Sequence, residues 1–255
     1  GVALKQAAGH AKFKPIAGTV TQAPAAFDIA THLTSSSLSE YDSKALLRAA
    51  GVAVPDEALV ADKASLDAAV TRAGFPLVMK IQSRDIPHKS EVGGVRVNIA
   101  TKADAVAAYD ALLDNARRHR PNATIQGVLV GPMAKKGVEI IVGTLRDATF
   151  GPMIMVGLGG ITTELFKDVI YRPAPVSPDE AAAMLGELRA APLLNGFRGA
   201  AKADVPALAS LIAEVSQLAA RYKSEVSEIE INPVLVHPEG VTIVDALVVP
   251  AARTG

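Results

Sequence analysis

The stretch IEINPVLVHPEGVTIVDALV, residues 229–248, decides the fold, because it has the pattern of a β-hairpin whose pairing can be worked out. Two runs rich in Val and Ile flank the turn residues His237–Gly240, which is typical of a hairpin with a four-residue loop. If the residues on either side of this loop face each other, the numbers of every pair add up to 477, as 236 and 241 do. Asn232 then lies opposite Asp245.

The predicted hairpin brings three oxygen-bearing side chains to one patch. Glu230 is two residues from Asn232 and therefore points to the same face. The Cβ atoms of directly opposed residues, such as Asn232 and Asp245, lie about 4.5–5.5 Å apart. Two carboxylates and one amide oxygen suit Mg²⁺, which takes one or two carboxylates besides phosphate oxygens and water. A solvated hairpin face fits the pattern equally well, and a slip of one residue in register would separate the three groups.

A lysine interrupts the apolar strand predicted over residues 77–81. Lys80 shares a face with Val78, and the simplest interpretation is an edge-strand lysine whose ammonium group reaches water. The functional interpretation is a fixed positive charge directed at a polyphosphate.

The loop between this strand and the next, residues 83–94, carries a histidine among residues suited to an anion. A lone loop histidine is usually no more than exposed, but Lys89 follows His88 directly. Gly93 and Gly94 can present backbone N–H groups to a phosphate. The other four histidines show no spacing typical of zinc ligands, so the pattern favours phosphate handling over a metal site at His88.

The rest of the chain mixes helices and strands without strict alternation, which favours an α+β body in two lobes. We expect an N-terminal arm or linker over residues 1–36, although a first element packed on the body is the alternative. A first lobe follows over residues 37–126, and a second lobe with the hairpin over 127–255. The first helix is predicted to begin at Ser37, because Glu40 stands at capping-box spacing from it.

Composition excludes several classes of function. Lys and Arg together number 26, as do Asp and Glu, so the balanced charge gives no general attraction to nucleic acid or to an anionic membrane. The absence of cysteine excludes disulfide scaffolds, thiolate zinc sites and cysteine nucleophiles. No apolar run approaches the roughly 18 residues that span a bilayer, and a cytoplasmic protein is the expectation.

Residues 37–248 resemble the ATP-grasp domain of the NDP-forming acyl-CoA synthetases, relatives of succinyl-CoA synthetase. Five ordered stretches carry the resemblance: LSEYDSKALLRAAGVAVP, PLVMKIQSRDIPHKSEVGGVRVNI, GVLVGPMAKKGVEIIVGTLRDATFGPMIMVGLGGITTELFKD, LLNGFRG and EIEINPVLV with the later VDA. Their order over more than two hundred residues is far more specific than any one motif. The resemblance implies an ATP-grasp fold, with the nucleotide held between two α+β lobes.

The resemblance also implies a role for each candidate residue. Lys80 would contact the phosphates of ATP or ADP, and Asn232 with Asp245 would hold Mg²⁺. His88 would pass a phosphoryl group between an acyl-CoA site and the nucleotide, and Glu230 would steady the phosphohistidine. The hinge strand Val128, Leu129 and Val130 would contact adenine. Glu139 would line the nucleotide cleft, and Gly93 and Gly94 would contact the phosphates. The family's hinge often has Gln or Glu where this chain has Gly131, which leaves the base preference open.

The implied reaction converts acyl-CoA, ADP and phosphate into free acid, CoA and ATP through phosphohistidine. A CoA-binding domain or subunit would be the partner and would bring acyl-CoA and phosphate, since the chain shows no CoA-binding segment of this family. Two other classes of function fit parts of the pattern. One is a catalytically silent, nucleotide-sensing domain of a protein acyltransferase, against which the complete residue set argues. The other is an ATP-grasp carboxylate–amine ligase, which would not need His88.

Overall fold

The computed structural model describes residues 28–33, 37–159 and 168–252. The helices are α1 Glu40–Ala49, α2 Leu66–Ala73, α3 Lys102–His119, α4 Pro178–Glu187, α5 Ala191–Leu194 and α6 Val205–Arg221. The strands are β1 Ala58–Val60, β2 Leu77–Gln82, β3 Val95–Ile99, β4 Gly127–Pro132, β5 Val138–Asp147, β6 Gly151–Leu158, β7 Val169–Pro173, β8 Val226–Val236, β9 Val241–Ile243 and β10 Ala246–Pro250. Short 3-10 helices cover Ile29–Thr31, Lys63–Ser65, Lys89–Val92 and Phe197–Gly199.

Most of the predicted N-terminal arm, residues 1–36, lies outside the described residues. Within its described part, Ile29 is buried in the core that also contains residues of the larger, second sheet. Helix α1 begins at Glu40, and its N-cap is Ser39, two residues after the predicted cap Ser37. The hydroxyl of Ser39 accepts a hydrogen bond from the Asp42 N–H at 3.2 Å, which satisfies a free donor of the first turn.

Strands β1 to β4 form a four-stranded antiparallel sheet in the order β1-β4-β2-β3. Helices α2 and α3 contact this sheet, and their apolar faces bury a core with it. All members of that core lie between Val60 and Val130. The smaller lobe therefore draws its core from one continuous piece of chain.

Strands β5 to β10 form the larger sheet, in the order β10-β8-β5-β6-β7 with β9 paired to β8. Helix α6 packs on β5, β6 and β8, and α4 packs on α6 and β7. The predicted hairpin register is correct: Val236 faces Val241 and Ile231 faces Ala246, so both pairs add up to 477. The Asn232 N–H donates to the Asp245 carbonyl at 3.1 Å, as this register requires.

Helix α1 belongs with the larger sheet. The Leu38 N–H donates to the Val248 carbonyl at 3.0 Å, and Leu46 and Leu47 lie in the core of the larger sheet. Strand β4 in turn pairs with β1 and β2 of the smaller sheet. The expected boundary between residues 126 and 127 therefore differs from the sheets observed, which divide the chain near residues 55 and 135.

The observed fold is α+β with two sheets, as predicted. Within the described ranges, no helix is both long enough and apolar enough to cross a membrane.

Candidate functional site

A cavity of about 840 Å³ lies between the two sheets. The smaller sheet contributes Val78 and Lys80, and β8, β9 and the residues after them contribute the opposite wall with Leu235 and Val241–Val244. The connecting segment Pro132–Lys136 closes one side. This volume falls in the range of about 300–1,000 Å³ that small-molecule and cofactor sites occupy.

One wall of the cavity rests on a buried group of ionised side chains, here called the Glu40 cluster: Glu40, Lys44, Glu57, Lys80, Lys89 and Asp245. Three ammonium groups surround the Glu40 carboxylate, whose side chain has no exposed surface. The distances to the Nζ atoms are 2.8 Å for Lys44, 2.6 Å for Lys80 and 3.1 Å for Lys89. Charges that are buried to this extent persist when they are paired and hydrogen-bonded.

Two further carboxylates balance the three lysines. Lys44 contacts Glu57 Oε2 at 2.8 Å, and Lys89 contacts Asp245 Oδ2 at 2.8 Å. The carbonyl oxygen of Val244 accepts from Lys44 at 2.8 Å and from Lys80 at 2.6 Å. Helix α1, strand β2, the His88 loop and the hairpin therefore meet at one neutral cluster.

The field inside the cluster shifts its carboxyl groups in opposite directions. Burial by itself would raise the pKa of Glu40, but the charges of Lys80, Lys44 and Lys89 outweigh it and hold the pKa far below its usual range. Burial and the neighbouring Glu40 charge raise the pKa of Asp245, although Lys89 and Lys80 oppose this rise. Glu40 is thus the permanent anion about which the lysines are arranged.

The structure brings the three predicted metal-site residues into neighbouring positions. The Asn232 amide donates to Glu230 Oε1 at 3.0 Å, which leaves the amide oxygen of Asn232 available. Asp245 lies opposite Asn232 but is bound to Lys89. Within the described part of the chain, no three His, Cys, Asp or Glu side chains form a metal cage. The donors present fit a cation that keeps water or phosphate oxygens, as Mg²⁺ does, better than a metal held by protein ligands alone.

His88 stands at the start of the 3-10 helix Lys89–Val92 with an exposed side chain. Its ring makes no hydrogen bond within the described ranges. The next residue, Lys89, reaches both Glu40 and Asp245, so the His88 loop is docked against the hairpin.

The expected role of Gly93 and Gly94 as phosphate-binding amides does not fit this structure. The Gly93 N–H donates to the Ser90 carbonyl, and the Gly94 N–H donates to the Lys89 carbonyl at 2.7 Å. Both groups are therefore used to close the turn. Gly93 has a φ of 62°, and a Cβ on Gly94 would lie 2.8 Å from the Lys89 oxygen, which explains the glycines by local geometry.

The expected hinge strand, Val128–Val130, is not part of the cavity lining. Val128 and Val130 point into the core of the smaller lobe, and Leu129 is buried as well. The backbone of this strand pairs with β1 on one side and β2 on the other, so it has no free donors for a base. The segment Pro132–Lys136 lines the cavity instead. Glu139 is exposed on the larger sheet beside Gly159 and Leu235.

Sequence reasoning missed Glu40, Lys44 and Glu57. The available signal was the spacing of Glu40 and Lys44, four residues apart on one face of a helix, which is usually a solvated surface pair. In the structure both side chains are buried.

A family model described as an ATP-grasp domain matches residues 30–249. The chain belongs to the ATP-grasp domain family. This ATP-grasp chain is 39% identical over 209 residues to the β subunit of acetate–CoA ligase (ADP-forming) I of Pyrococcus furiosus, which covers 82% of the chain and 90% of the relative.

Solved structures of acetyl-coenzyme A synthetase 1 from Ca. Korarchaeum cryptofilum resemble the ATP-grasp chain closely. One, in complex with coenzyme A and Ca-AMPCP, has a TM-score of 0.82 at 38% identity and covers 85% of this chain and 94% of its own. Another holds coenzyme A and Mg-AMPPCP, with its phosphohistidine segment pointing towards the nucleotide-binding site. Its TM-score is 0.73 at 35% identity, and the match covers 84% of this chain and 93% of that chain.

Proposed function

We propose that this chain is the nucleotide-binding ATP-grasp subunit or domain of an ADP-forming acyl-CoA synthetase. The reaction is acyl-CoA, ADP and phosphate to free acid, CoA and ATP, and His88 carries the phosphoryl group between its two halves. The observation that carries the proposal is the docking of the His88 loop, through Lys89 and Asp245, on the hairpin that forms one wall of the cavity. A histidine that relays phosphate must come close to the nucleotide, and a loop docked beside the cavity supports this.

In this proposal Lys80 binds the nucleotide phosphates. An ammonium group has three N–H donors, and Lys80 gives one to Glu40 and one to the Val244 carbonyl. The third remains, and Lys80 lies on the cavity wall. Glu40 and Val244 thus fix the position of the charge before a ligand arrives, which lowers the cost of binding.

Asn232 and Asp245 would hold Mg²⁺ beside those phosphates, with Glu230 next to them. A bound Mg²⁺ would neutralise charge on the phosphate oxygens during in-line transfer. Glu230, which accepts a hydrogen bond from the Asn232 amide, would accept one from a histidine ring brought to the same face. The ring of His88 supplies the nucleophilic nitrogen.

The partner in this proposal is a CoA-binding subunit or domain. Support comes from the relative named as a β subunit and from the solved structures that contain coenzyme A. The acyl-CoA half of the reaction would take place there, and the His88 loop would carry phosphate to the cavity described here.

The test is to supply the chain and its CoA-binding partner with acetyl-CoA and phosphate and to search for phosphohistidine. Samples are kept alkaline, because phosphohistidine is labile in acid, and the modified residue is mapped by mass spectrometry. We expect the label on His88, and no label and no ATP formation with His88→Ala. His119→Ala is the matched control, since His119 is an exposed histidine on α3, and it should behave as wild type. Full turnover by His88→Ala would refute the relay.

A further inference from the structure

Glu57 is a carboxylate on the cavity wall that the phosphate chemistry above does not use. It precedes β1, and its side chain is 9% exposed. Lys44 Nζ donates a hydrogen bond to Glu57 Oε2 at 2.8 Å. Within the described residues, the Glu57 side chain makes no other hydrogen bond. Oε1 is therefore a fixed acceptor without a donor.

The glycine beside Glu57 makes room for this arrangement. A Cβ on Gly131 would lie 2.6 Å from Glu57 Cγ and 3.2 Å from Oε1. Any side chain at position 131 would push the carboxylate out of its place. Gly131 is the last residue but one of β4 and directly precedes the cavity-lining segment Pro132–Lys136.

The walls next to this acceptor are apolar. Val78 pairs with Gly131 across the sheet, and Met133 lies two residues after Gly131 in the chain. The side chains of Val78 and Met133 line the cavity. On the opposite side Lys44 bridges Glu57 to the carbonyl of Val244, which places the lining residue Ile243 nearby. A flat ring with apolar faces and a hydrogen-bond donor on its edge suits such a slot.

A ligand that covers Oε1 must give it a hydrogen bond. Removing a carboxylate oxygen from water without a donor costs more than an ordinary hydrogen bond returns. Burial already raises the pKa of Glu57, although the charges of Lys44 and Lys80 oppose the rise, so further desolvation without a donor would disfavour the carboxylate still more. A carbonyl oxygen in the same position would be repelled.

We propose that Glu57 selects the base of the nucleotide, by accepting a hydrogen bond from the exocyclic amine of adenine and rejecting bases with a carbonyl at that position. The inference rests on the proposed function, because it assigns the base end of the same nucleotide site. The base preference of the site is then determined by Glu57, whose side chain occupies the space next to Gly131.

Calorimetry with ADP and IDP measures this preference, because the two nucleotides differ at the base edge alone. We expect the wild-type chain to bind ADP about 10- to 100-fold more tightly than IDP, the range of one hydrogen bond to a charged group. Glu57→Gln should bring this ratio close to one, since an amide can accept from an amine or donate to a carbonyl. Asp110→Asn is the matched control: this exposed carboxylate is paired with Lys63 outside the cavity, and the ratio should stay unchanged.

A second variant keeps the inference testable if the Glu57→Gln chain fails to fold. Gly131→Ala keeps the carboxylate but displaces it, and it should also lower the ADP/IDP ratio. If both variants keep the wild-type ratio, the inference is wrong while the proposed function stands. If Glu57→Gln instead abolishes the preference for ADP over 2′-deoxy-ADP, Glu57 contacts the ribose and the inference is also overturned. A folded wild-type chain that binds neither ADP nor IDP at millimolar concentration contradicts the proposed function itself.

Discussion

Glu40 shows how one residue can determine the arrangement of several others. Three ammonium groups lie within 3.1 Å of its carboxylate, and they come from α1, β2 and the His88 loop. Without this anion, Lys44 and Lys80 would retain few partners in a buried place. Removing one member of a buried ion cluster lowers the free energy of unfolding by more than its ion pairs contribute, because the remaining charges stay desolvated and lose a partner.

Glu40→Gln should therefore lower the free energy of unfolding by about 3–5 kcal/mol, as measured by urea denaturation at neutral pH. The matched control is Asp110→Asn, which breaks the exposed pair with Lys63 and should cost less than about 1 kcal/mol. A change for Glu40→Gln as small as that of the control would show that the cluster is not a source of stability.

The same substitution has a predictable dependence on pH. The pKa of Glu40 is lower in the folded chain than its ordinary value of 4.5, so the folded state binds fewer protons. Its contribution is complete above about pH 4.5 and declines as the pH falls towards the folded pKa. The stability difference between wild type and Glu40→Gln should accordingly narrow between pH 5 and pH 3. A difference that stays constant over this range would contradict the assignment.

Among the elements, β10 depends most on a neighbour distant in sequence. It lies at the edge of the larger sheet, and its outer side is covered by the residues that lead into α1. The Leu38 N–H donates to the Val248 carbonyl, and the Val248 N–H donates to Ser43 Oγ at 3.0 Å. An edge strand with unpaired amides invites aggregation, and α1 prevents this here.

Ser43→Ala should remove the acceptor for the buried Val248 N–H and lower stability by about 1–3 kcal/mol. The measurement is urea denaturation with native-state hydrogen exchange at Val248, whose amide should lose protection. Ser210→Ala on α6 is the control, because Ser210 is exposed and its hydroxyl bonds to the Pro206 carbonyl within the same helix. Equal effects of the two substitutions would contradict the role given to Ser43.

The sequence was sufficient for contacts that are local or periodic. The hairpin register followed from its four-residue loop, and the strand predicted over residues 77–81 is observed as β2, Leu77–Gln82. The Glu40 cluster could not be predicted, because it joins positions as far apart as Lys44 and Val244, and no local pattern encodes such a contact. The amides of Gly93 and Gly94 were misjudged because a glycine pair suits a tight turn as well as an anion site.

At the scale of the whole molecule, the smaller lobe is an insertion into the larger one. Its core lies between Val60 and Val130, whereas the larger core combines residues 29–52 with residues 140–248. A lobe whose core comes from one continuous segment can fold without the rest of the chain.

We expect a fragment of residues 56–133 to unfold in a single cooperative urea transition. A fragment of residues 138–252 should not, because it lacks Leu38, Leu46 and Leu47 of its core. Joining residues 37–55 to 136–252 through a short Gly-Ser linker should restore a cooperative transition. Cooperative folding of 138–252 alone would show that α1 is dispensable, and no transition for 56–133 would show that the smaller lobe depends on its neighbour.

The contact between α1 and β10 also has a consequence for the order in which a ribosome makes this protein. Val248 is synthesised about 200 residues after Ser43, which at 5–20 residues per second takes about 10–40 s. During that interval the nascent smaller lobe can complete its own core, while the leucines of α1 still lack the sheet against which they pack. The larger lobe is thus fixed last, and chaperones would meet the nascent chain at this exposed helix.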